Sequence, residues 1–184
     1  MRTLRILSVL VVSANLGTAA LAAPPEVPTS PPYIVLSDNL DEPNGYGFCI
    51  DTMSLGLNDL MHSHTCKPAQ EGAERNSNQH DVRFMYKADS MQIESYAFEG
   101  LCMQALLASG RDAVFALLEC SDAPRQKFVY EQDDKTLRLE EDQAQCVGVV
   151  SETAPAGPWV ARGLVLASCD ELEDSLKQWT VVSE

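Results

Sequence analysis

Residues 83–102, RFMYKADSMQIESYAFEGLC, are matched 44 positions later by residues 127–146, KFVYEQDDKTLRLEEDQAQC. In both segments an aromatic residue comes nine positions before an aliphatic one, which in turn comes nine positions before a cysteine. The matched residues are Phe84 and Phe128, Tyr86 and Tyr130, Asp89 and Asp133, Ile93 and Leu137, and Cys102 and Cys146. A match that keeps aromatic, turn, aliphatic and cysteine positions without a gap indicates an internal repeat.

The first 22 residues have the composition of a targeting segment. Arg2 and Arg5 give a basic start, residues 6–12 form an apolar run, and residues 20–22 give the small-x-small pattern of a cleavage site. The apolar run is shorter than the roughly 20 residues that a membrane-spanning helix needs. We therefore predict a signal peptide at residues 1–22 and an exported protein, secreted or periplasmic.

The segment that follows is rich in proline. Residues 23–33 contain five of the ten prolines of the chain. Because proline lacks a backbone N–H and interrupts helices and strands, this segment is predicted to be an extended, mobile leader. The strand-like run Tyr33–Leu36 marks the start of folded structure, which gives a predicted domain at residues 34–184.

The chain is strongly acidic. Its 13 lysines and arginines stand against 27 aspartates and glutamates, for a net charge of −14. Nucleic acids and anionic membranes bind clustered basic residues, so neither is an expected partner. The charge favours solubility, and the length of the predicted domain suits a single unit with a substantial core.

Six cysteines in an exported chain predict disulfide bonds. Six cysteines allow 15 pairings, but they fall into three successive pairs, 17, 18 and 23 positions apart, one pair in each repeat. Bonds within the repeats close short loops, each worth about 3 kcal/mol. A zinc site is the alternative, but it needs ligands two to four residues apart, which this chain lacks. The predicted pairs are Cys49–Cys66, Cys102–Cys120 and Cys146–Cys169.

Each repeat follows the same plan. A strand leads into the first cysteine, a second strand leads into its partner, and a third strand begins with an aromatic residue, Phe84, Phe128 or Trp179. Short strands that recur with polar turns between them indicate an all-β protein. Little helix is expected, with residues 103–108 and 168–176 as candidates for single turns.

This plan resembles the ricin B-type β-trefoil lectin domain over residues 34–182. Gln126-Lys127-Phe128 is close to the Q-x-W motif of that family, and Cys49-Ile50-Asp51 is close to its C-x-D motif. In the first and third repeats, Val82 and Lys177 stand at the glutamine position. The resemblance implies a β-trefoil with three pseudo-symmetric repeats, in which six strands form a barrel, six cap it, and the aromatic residues lie in the core.

The resemblance also implies where a sugar would bind. Carboxylates accept hydrogen bonds from sugar hydroxyls, and a ring covers the apolar C–H face. The family places an aspartate in C-x-D, a ring two residues before the second cysteine, and a polar group near Q-x-W. In the first repeat these positions hold Asp51, His64 and Asp81, whereas Gln104 and Gly148 replace the aspartate in the other two repeats. The prediction is a secreted carbohydrate-binding protein with one degenerate site.

The same residues allow other interpretations. In one of them Asp51 has a purely structural role and accepts hydrogen bonds from the backbone N–H groups of a turn. His62 and His64 face the same way in an extended segment, so a divalent metal with Asp51 or Asp81 is conceivable. Exposed histidines on a polar loop are commoner, and we expect no metal and no other cofactor. His64 can titrate between about pH 5 and pH 8, which would make sugar binding depend on pH.

Two function classes remain. The chain contains no nucleophile elbow, no H-E-x-x-H, no P-loop and no dinucleotide glycine pattern, and every cysteine has a predicted partner, so we predict that it is not an enzyme. The loss of the sugar-site pattern from two repeats of three supports an alternative to the lectin. This alternative is a non-lectin β-trefoil that binds another protein as an interaction or inhibitor scaffold. The oligomeric state is not predicted.

Overall fold

The structure, a computed structural model, describes residues 23–68, 70, 72–106 and 114–183. The predicted signal peptide at residues 1–22 lies outside this part of the chain. Among the residues described, no helix has both the length and the hydropathy to cross a bilayer. The elements are β1 Tyr33–Leu36, β2 Phe48–Thr52, β3 Met61–Thr65, β4 Phe84–Lys87, β5 Gln92–Ser95, β6 Leu101–Leu106, β7 Val114–Glu119, β8 Phe128–Glu131, β9 Thr136–Leu139, β10 Asp142–Val149, β11 Ala154–Ala156, β12 Trp159–Ser168, α1 Asp174–Lys177 and β13 Trp179–Val182, with a 3-10 turn at Pro124–Gln126.

The three aromatic strands pair in the same way. Strand β4 pairs with β5, β8 with β9, and the last strand β13 with the first strand β1, so the chain closes on itself. The residues opposite one another are Phe84 and Ser95, Phe128 and Leu139, and Trp179 and Leu36. All three aromatic rings are fully buried, as the repeat predicts.

Three disulfide-linked hairpins supply the other repeated strands. They are formed by β2 with β3, β6 with β7, and β10 with β12. The disulfides are the predicted ones, Cys49–Cys66, Cys102–Cys120 and Cys146–Cys169. Twelve strands thus fall into three equivalent sets of four, and the short β11, which pairs with β12, is an addition to the third.

Hydrogen bonds between repeats follow the same register. The Tyr86 hydroxyl donates to the backbone oxygen of Phe128 at 3.0 Å, and the Tyr130 hydroxyl donates to that of Trp179 at 2.9 Å. Each of these tyrosines stands two residues after the buried aromatic of its own repeat. The match at an offset of 44 residues therefore positions the links between successive repeats as well as the core.

One expectation about helix is wrong. Residues 101–106 form strand β6, paired with β7, where a helical turn was a candidate from residue 103. Met103 and Ala105 are buried and Gln104 between them is less so, because side chains alternate across a strand and the cross-strand pairing outweighs local helix propensity. Residues 107–113 lie outside the described part. The helix α1 falls largely within the second candidate segment, residues 168–176.

The Pro-rich leader contacts the first repeat. It contains no helix or strand over residues 23–32. The backbone N–H of Glu26 donates to Gly45 at 2.7 Å, and the buried Thr29 hydroxyl donates to the backbone oxygen of Lys67 at 2.6 Å. The leader is thus in closer contact with the domain than its proline content indicates, and its mobility stays a prediction.

Candidate functional site

Pairing of β2 with β3 gathers the acid and the histidines of the first repeat. Asp51 lies opposite His62, and Cys49 lies opposite His64. Opposed residues and alternate residues share a face of the sheet, so these side chains meet on one side. The Nε2 atom of His62 is 3.6 Å from Asp51 Oδ2, and the Nδ1 atom of His64 is 3.9 Å from the same oxygen.

Lys67 joins Asp51 to the third predicted site residue, Asp81. Its Nζ atom is 3.2 Å from Asp51 Oδ2 and 2.6 Å from Asp81 Oδ1, and it donates to the backbone oxygen of Asn78 at 3.3 Å. Lys67 directly follows Cys66, so the disulfide of this repeat holds the start of its side chain beside β2. Asp51, His64 and Asp81 therefore lie together around one ammonium group.

These side chains line a cleft of about 400 Å³. Its lining residues are Asp51, Thr52, Met53, Ser54, Leu55, His62, His64, Lys67, Asn78, Asp81 and Ala156. The Asp51 side chain is only 1% exposed, whereas those of Lys67 and His62 are 14% and 16% exposed. Lys67 and His62 thus shield the Asp51 carboxylate from solvent.

The Asp51 carboxylate has one satisfied oxygen and one that is not. Oδ1 accepts a hydrogen bond from the backbone N–H of Thr52 at 2.7 Å. Oδ2 is buried and accepts no well-formed hydrogen bond from the residues described, although three basic groups surround it. Burial raises the pKa of Asp51, but the nearby His62 ring and the charges of Lys67 and His64 outweigh burial and hold the pKa below its ordinary value. Asp51 is therefore a buried carboxylate with unused capacity to accept a hydrogen bond.

Asp81 has the opposite shift. Burial and then the negative charge of Asp51 raise the pKa of Asp81 to about 7, and contact with Lys67 offsets only part of this rise. The two carboxylates share one ammonium, so they do not ionise equally easily. Burial also lowers the pKa of His64 below its ordinary value, and attraction to Asp51 only partly compensates. Asp81 therefore titrates near neutral pH in this cleft, a role that the sequence indicated for His64, whose pKa is lowered instead.

Lys67 and His62 were not among the residues predicted for the sugar site. The sequence indicates His62 only as a metal ligand, and it indicates no role for Lys67. The sequence does contain a signal for Lys67, which directly follows Cys66. The Cys49–Cys66 disulfide lies two residues from Asp51 and therefore brings Lys67 near Asp51. In the described part of the chain, no group of three or more histidine, cysteine, aspartate or glutamate side chains is arranged to hold a metal ion.

In the other two repeats, the residues equivalent to Asp51 are hydrogen-bonded or closely packed. Gln104 accepts a hydrogen bond from Gln126 Nε2 at 3.1 Å, and the buried Gln126 also accepts one from the backbone N–H of Ser121 at 2.7 Å. At Gly148, an added Cβ would come within 2.7 Å of the Leu172 side chain, so this position is packed closely. Neither position offers an open carboxylate.

Comparison with known proteins identifies the architecture. No protein-family model matches the chain, and no curated protein is similar to it. Among solved structures, the β-trefoil lectin of the Vibrio vulnificus hemolysin/cytolysin, with N-acetyl-D-lactosamine bound, superimposes with a TM-score of 0.54 and 10% identity, covering 83% of this chain and 93% of that one. The fold is a β-trefoil. The C-half of the earthworm R-type lectin, in complex with GalNAc, gives a TM-score of 0.53 at 9% identity, with coverage of 84% and 100%.

A third similar structure is that of GalNAc-T7 with UDP, GalNAc and Mn²⁺. Its TM-score is 0.54 at 12% identity, and the match covers 87% of this chain but 23% of that one. These likenesses confirm the predicted β-trefoil fold, which the pairing of strands into three equivalent sets also supports.

Proposed function

We propose that this β-trefoil binds carbohydrate through the cleft of its first repeat, with Asp51, His64 and Asp81 as the recognition residues. The observation that carries the proposal is the convergence of these three side chains on one cleft, with a buried Asp51 oxygen that accepts no well-formed hydrogen bond from the described residues. Similar structures with bound N-acetyl-D-lactosamine and GalNAc support a carbohydrate as the class of ligand.

In the proposed complex, sugar hydroxyls replace the Lys67 ammonium at the two carboxylates. Lysine has a flexible four-carbon stem, so Nζ can leave Asp51 and Asp81 without movement of the backbone. Hydroxyls then donate to Asp51 Oδ2 and to Asp81, and the His64 ring covers an apolar face of the sugar. Since the exchange gives up two ion pairs and imidazole is a small ring, the affinity is weak, with Kd around 1 mM.

The three disulfides support an extracytoplasmic setting. Such bonds form and persist mainly in oxidising compartments outside the cytoplasm. Together with the predicted signal peptide, they support a secreted or periplasmic protein. We propose that it acts by binding, without a cofactor and without a catalytic group.

One observation favours the alternative, a β-trefoil that binds a protein partner. In the part of the chain described, every large hydrophobic side chain that is exposed belongs to the loop between β2 and β3. These residues are Met53, Leu55, Leu57 and Leu60, each between 45% and 60% exposed. Clustered exposed apolar side chains are typical of an interaction surface.

A glycan array tests the proposal against this alternative. The disulfide-bonded protein comprising residues 23–184 is compared with Asp51→Ala and with Gln104→Ala, which alters the equivalent position of the second repeat. We expect glycan binding that is lost in Asp51→Ala and kept in Gln104→Ala. An array without signal, together with a protein recovered by pull-down, would replace carbohydrate binding with the alternative function.

A further inference from the structure

A second cleft adjoins the candidate sugar cleft. It has a volume of about 330 Å³ and shares Met53 and His62 with the first cleft. Most of its lining is apolar, from Met61, Val150, Ala154, Ala161, Leu164 and Val165. We call this second cleft the apolar groove. A polar cleft and an apolar groove thus meet at the same two side chains.

The pairing of β3 with β12 shapes the groove. His62 lies opposite Gly163, which lines the groove and is exposed to solvent. A Cβ added at Gly163 would meet only Val150 side-chain atoms at 3.6 and 3.7 Å, which is ordinary van der Waals contact. The space beside His62 is therefore open because residue 163 has no side chain.

The backbone around Met53 is held in place although its side chain is 59% exposed. Its N–H donates to the backbone oxygen of Leu60 at 2.8 Å, and the N–H of Asn58, in the same loop, donates to that of Leu117 at 2.8 Å. These bonds tie the loop between β2 and β3 to itself and to β7 while its apolar side chains stay exposed. Met53 is thus presented at the boundary between the two clefts.

Charge restricts what can occupy the groove. Arg162 is a lining residue, but its guanidinium is bound to Asp41 and to the backbone oxygens of Val150 and Ser151. The two basic side chains that line the groove, Arg162 and His62, therefore already face the carboxylates of Asp41 and Asp51. A second copy of the chain is a poor occupant, because two chains of net charge −14 repel each other.

We infer that the ligand of this site is a glycoside with an apolar aglycone, whose sugar lies in the cleft of Asp51 and whose alkyl group lies in the apolar groove across Met53. This inference rests on the proposed function, because it extends the same site. The alkyl group is the part of the ligand that lies outside the polar cleft, in which the sugar binds weakly. Burial of alkyl carbon supplies the larger share of the affinity, at about fourfold in Kd for each methylene fully buried.

Isothermal titration calorimetry with methyl β-galactoside and octyl β-galactoside, both below their micelle-forming concentrations, tests the inference. We expect the wild-type protein to bind the octyl compound at least about tenfold more tightly than the methyl compound. Met53→Gln removes the apolar boundary, and Gly163→Leu fills the groove, so both variants should lose this gain. Gly163 lines the groove but not the sugar cleft, so Gly163→Leu should also keep the affinity for the methyl compound. Leu57→Gln is the matched control, since Leu57 belongs to the same loop but lines neither cleft, and it should keep the gain.

The outcomes separate the two proposals. Equal affinities of the two galactosides in the wild-type protein would overturn the apolar aglycone and leave carbohydrate binding in place. A gain that survives in both Met53→Gln and Gly163→Leu would also overturn it, because the alkyl group would then lie elsewhere. Binding of neither compound, together with a glycan array that shows no signal, would overturn both proposals. Where the array finds another sugar, its methyl and octyl glycosides take the place of the galactosides.

Discussion

Two positions after its first cysteine, the first repeat has Asp51 and the second repeat has Gln104, each on an equivalent strand of a disulfide-linked hairpin. Gln104 is bonded to Gln126, whose amide also bonds to the backbone of Ser121 and donates to that of Glu119 at 2.9 Å. That network is uncharged, and both polar atoms of Gln126 are used. Asp51 instead faces Lys67 and two histidines, and one of its oxygens accepts no well-formed bond among the described residues.

The two repeats therefore use equivalent positions of the same fold in different ways. An amide network with every partner satisfied stabilises the protein and leaves nothing for a ligand. A buried cluster with two carboxylates and one ammonium is a poor way to gain stability, since desolvation opposes the attraction between the charges. The first repeat therefore has a feature that stability alone does not explain.

The buried core should contribute equally to stability in the two repeats. Substitutions in this core are expected to have the largest effects on the free energy of unfolding. Phe84→Ala and Phe128→Ala each remove a fully buried ring at equivalent positions, so each should lower the free energy of unfolding by about 3–5 kcal/mol. Chemical denaturation with the disulfides intact measures both values. A large loss in only one variant would show that the two repeats do not share a core.

Lys67→Met tests whether the cluster of the first repeat depends on its one ammonium. The substitution leaves two buried carboxylates without their common partner, and we expect a loss of about 3 kcal/mol in unfolding free energy. Lys127→Met is the matched control, because its contact with the fully exposed Asp122 is a surface pair. That control should change stability little. Similarly small losses of unfolding free energy in both variants would mean that Lys67 contributes little to the stability of the cluster.

The pH dependence of stability should also distinguish the first repeat. The ordinary pKa of Asp81 is 3.8, and its pKa in the folded protein is about 7. Between these values the folded protein keeps a proton that the unfolded chain has released, so the contribution of Asp81 to stability falls as the pH rises from about 4 to about 7. His64, whose pKa is lowered, gives the opposite slope below its ordinary pKa of 6.5.

A comparison of wild type with Asp81→Asn isolates the part due to Asp81. The stability of wild type minus that of the variant should fall by an amount on the order of 2 kcal/mol over this pH range. The change is measured by urea denaturation at a series of pH values. A flat difference would show that Asp81 titrates as an ordinary aspartate.

Most of the fold could be predicted because the aromatic, aliphatic and cysteine positions of the repeat are separated by constant numbers of residues. Phe84 and Phe128 mark the core, and the paired cysteines mark the hairpins. The region from Met103 was harder, because a short apolar run fits a buried strand and a helical turn equally well, and pairing with β7 decides between them. The short β11 depends on a partner strand and has no counterpart in the other repeats.

The sequence predicted which residues of the first repeat would lie together, but not the chemistry of the cleft that they line. Asp51, His64 and Asp81 were found from their spacing to the cysteines and to the aromatic strand. Lys67 could not be identified as a partner of Asp81 from the sequence, because the two residues are 14 positions apart in a polar segment. The raised pKa of Asp81 and the lowered pKa of His64 depend on burial, which spacing does not reveal.

Gln126→Leu gives the smallest stability effect and tests the second repeat. It leaves the backbone N–H of Ser121 and the side chain of Gln104 without a bonding partner, so we expect a loss of about 1–2 kcal/mol. Because this network has a structural role in our account, the affinity for any sugar should not change. A calorimetric titration with the sugar found on the array checks this, and a loss of affinity would assign ligand binding to the second repeat.

An NMR titration of GalNAc into wild type, Asp51→Asn and Gln104→Ala decides whether the sugar site lies in the first repeat. Asp51→Asn removes the buried charge and leaves Lys67 paired with Asp81, and Gln104→Ala makes the matched change in the second repeat. We predict shift changes around the first-repeat cleft in wild type and Gln104→Ala, with Kd around 1 mM, and none in Asp51→Asn. Unchanged binding in Asp51→Asn, or a loss confined to Gln104→Ala, would contradict the assignment of the site to the first repeat.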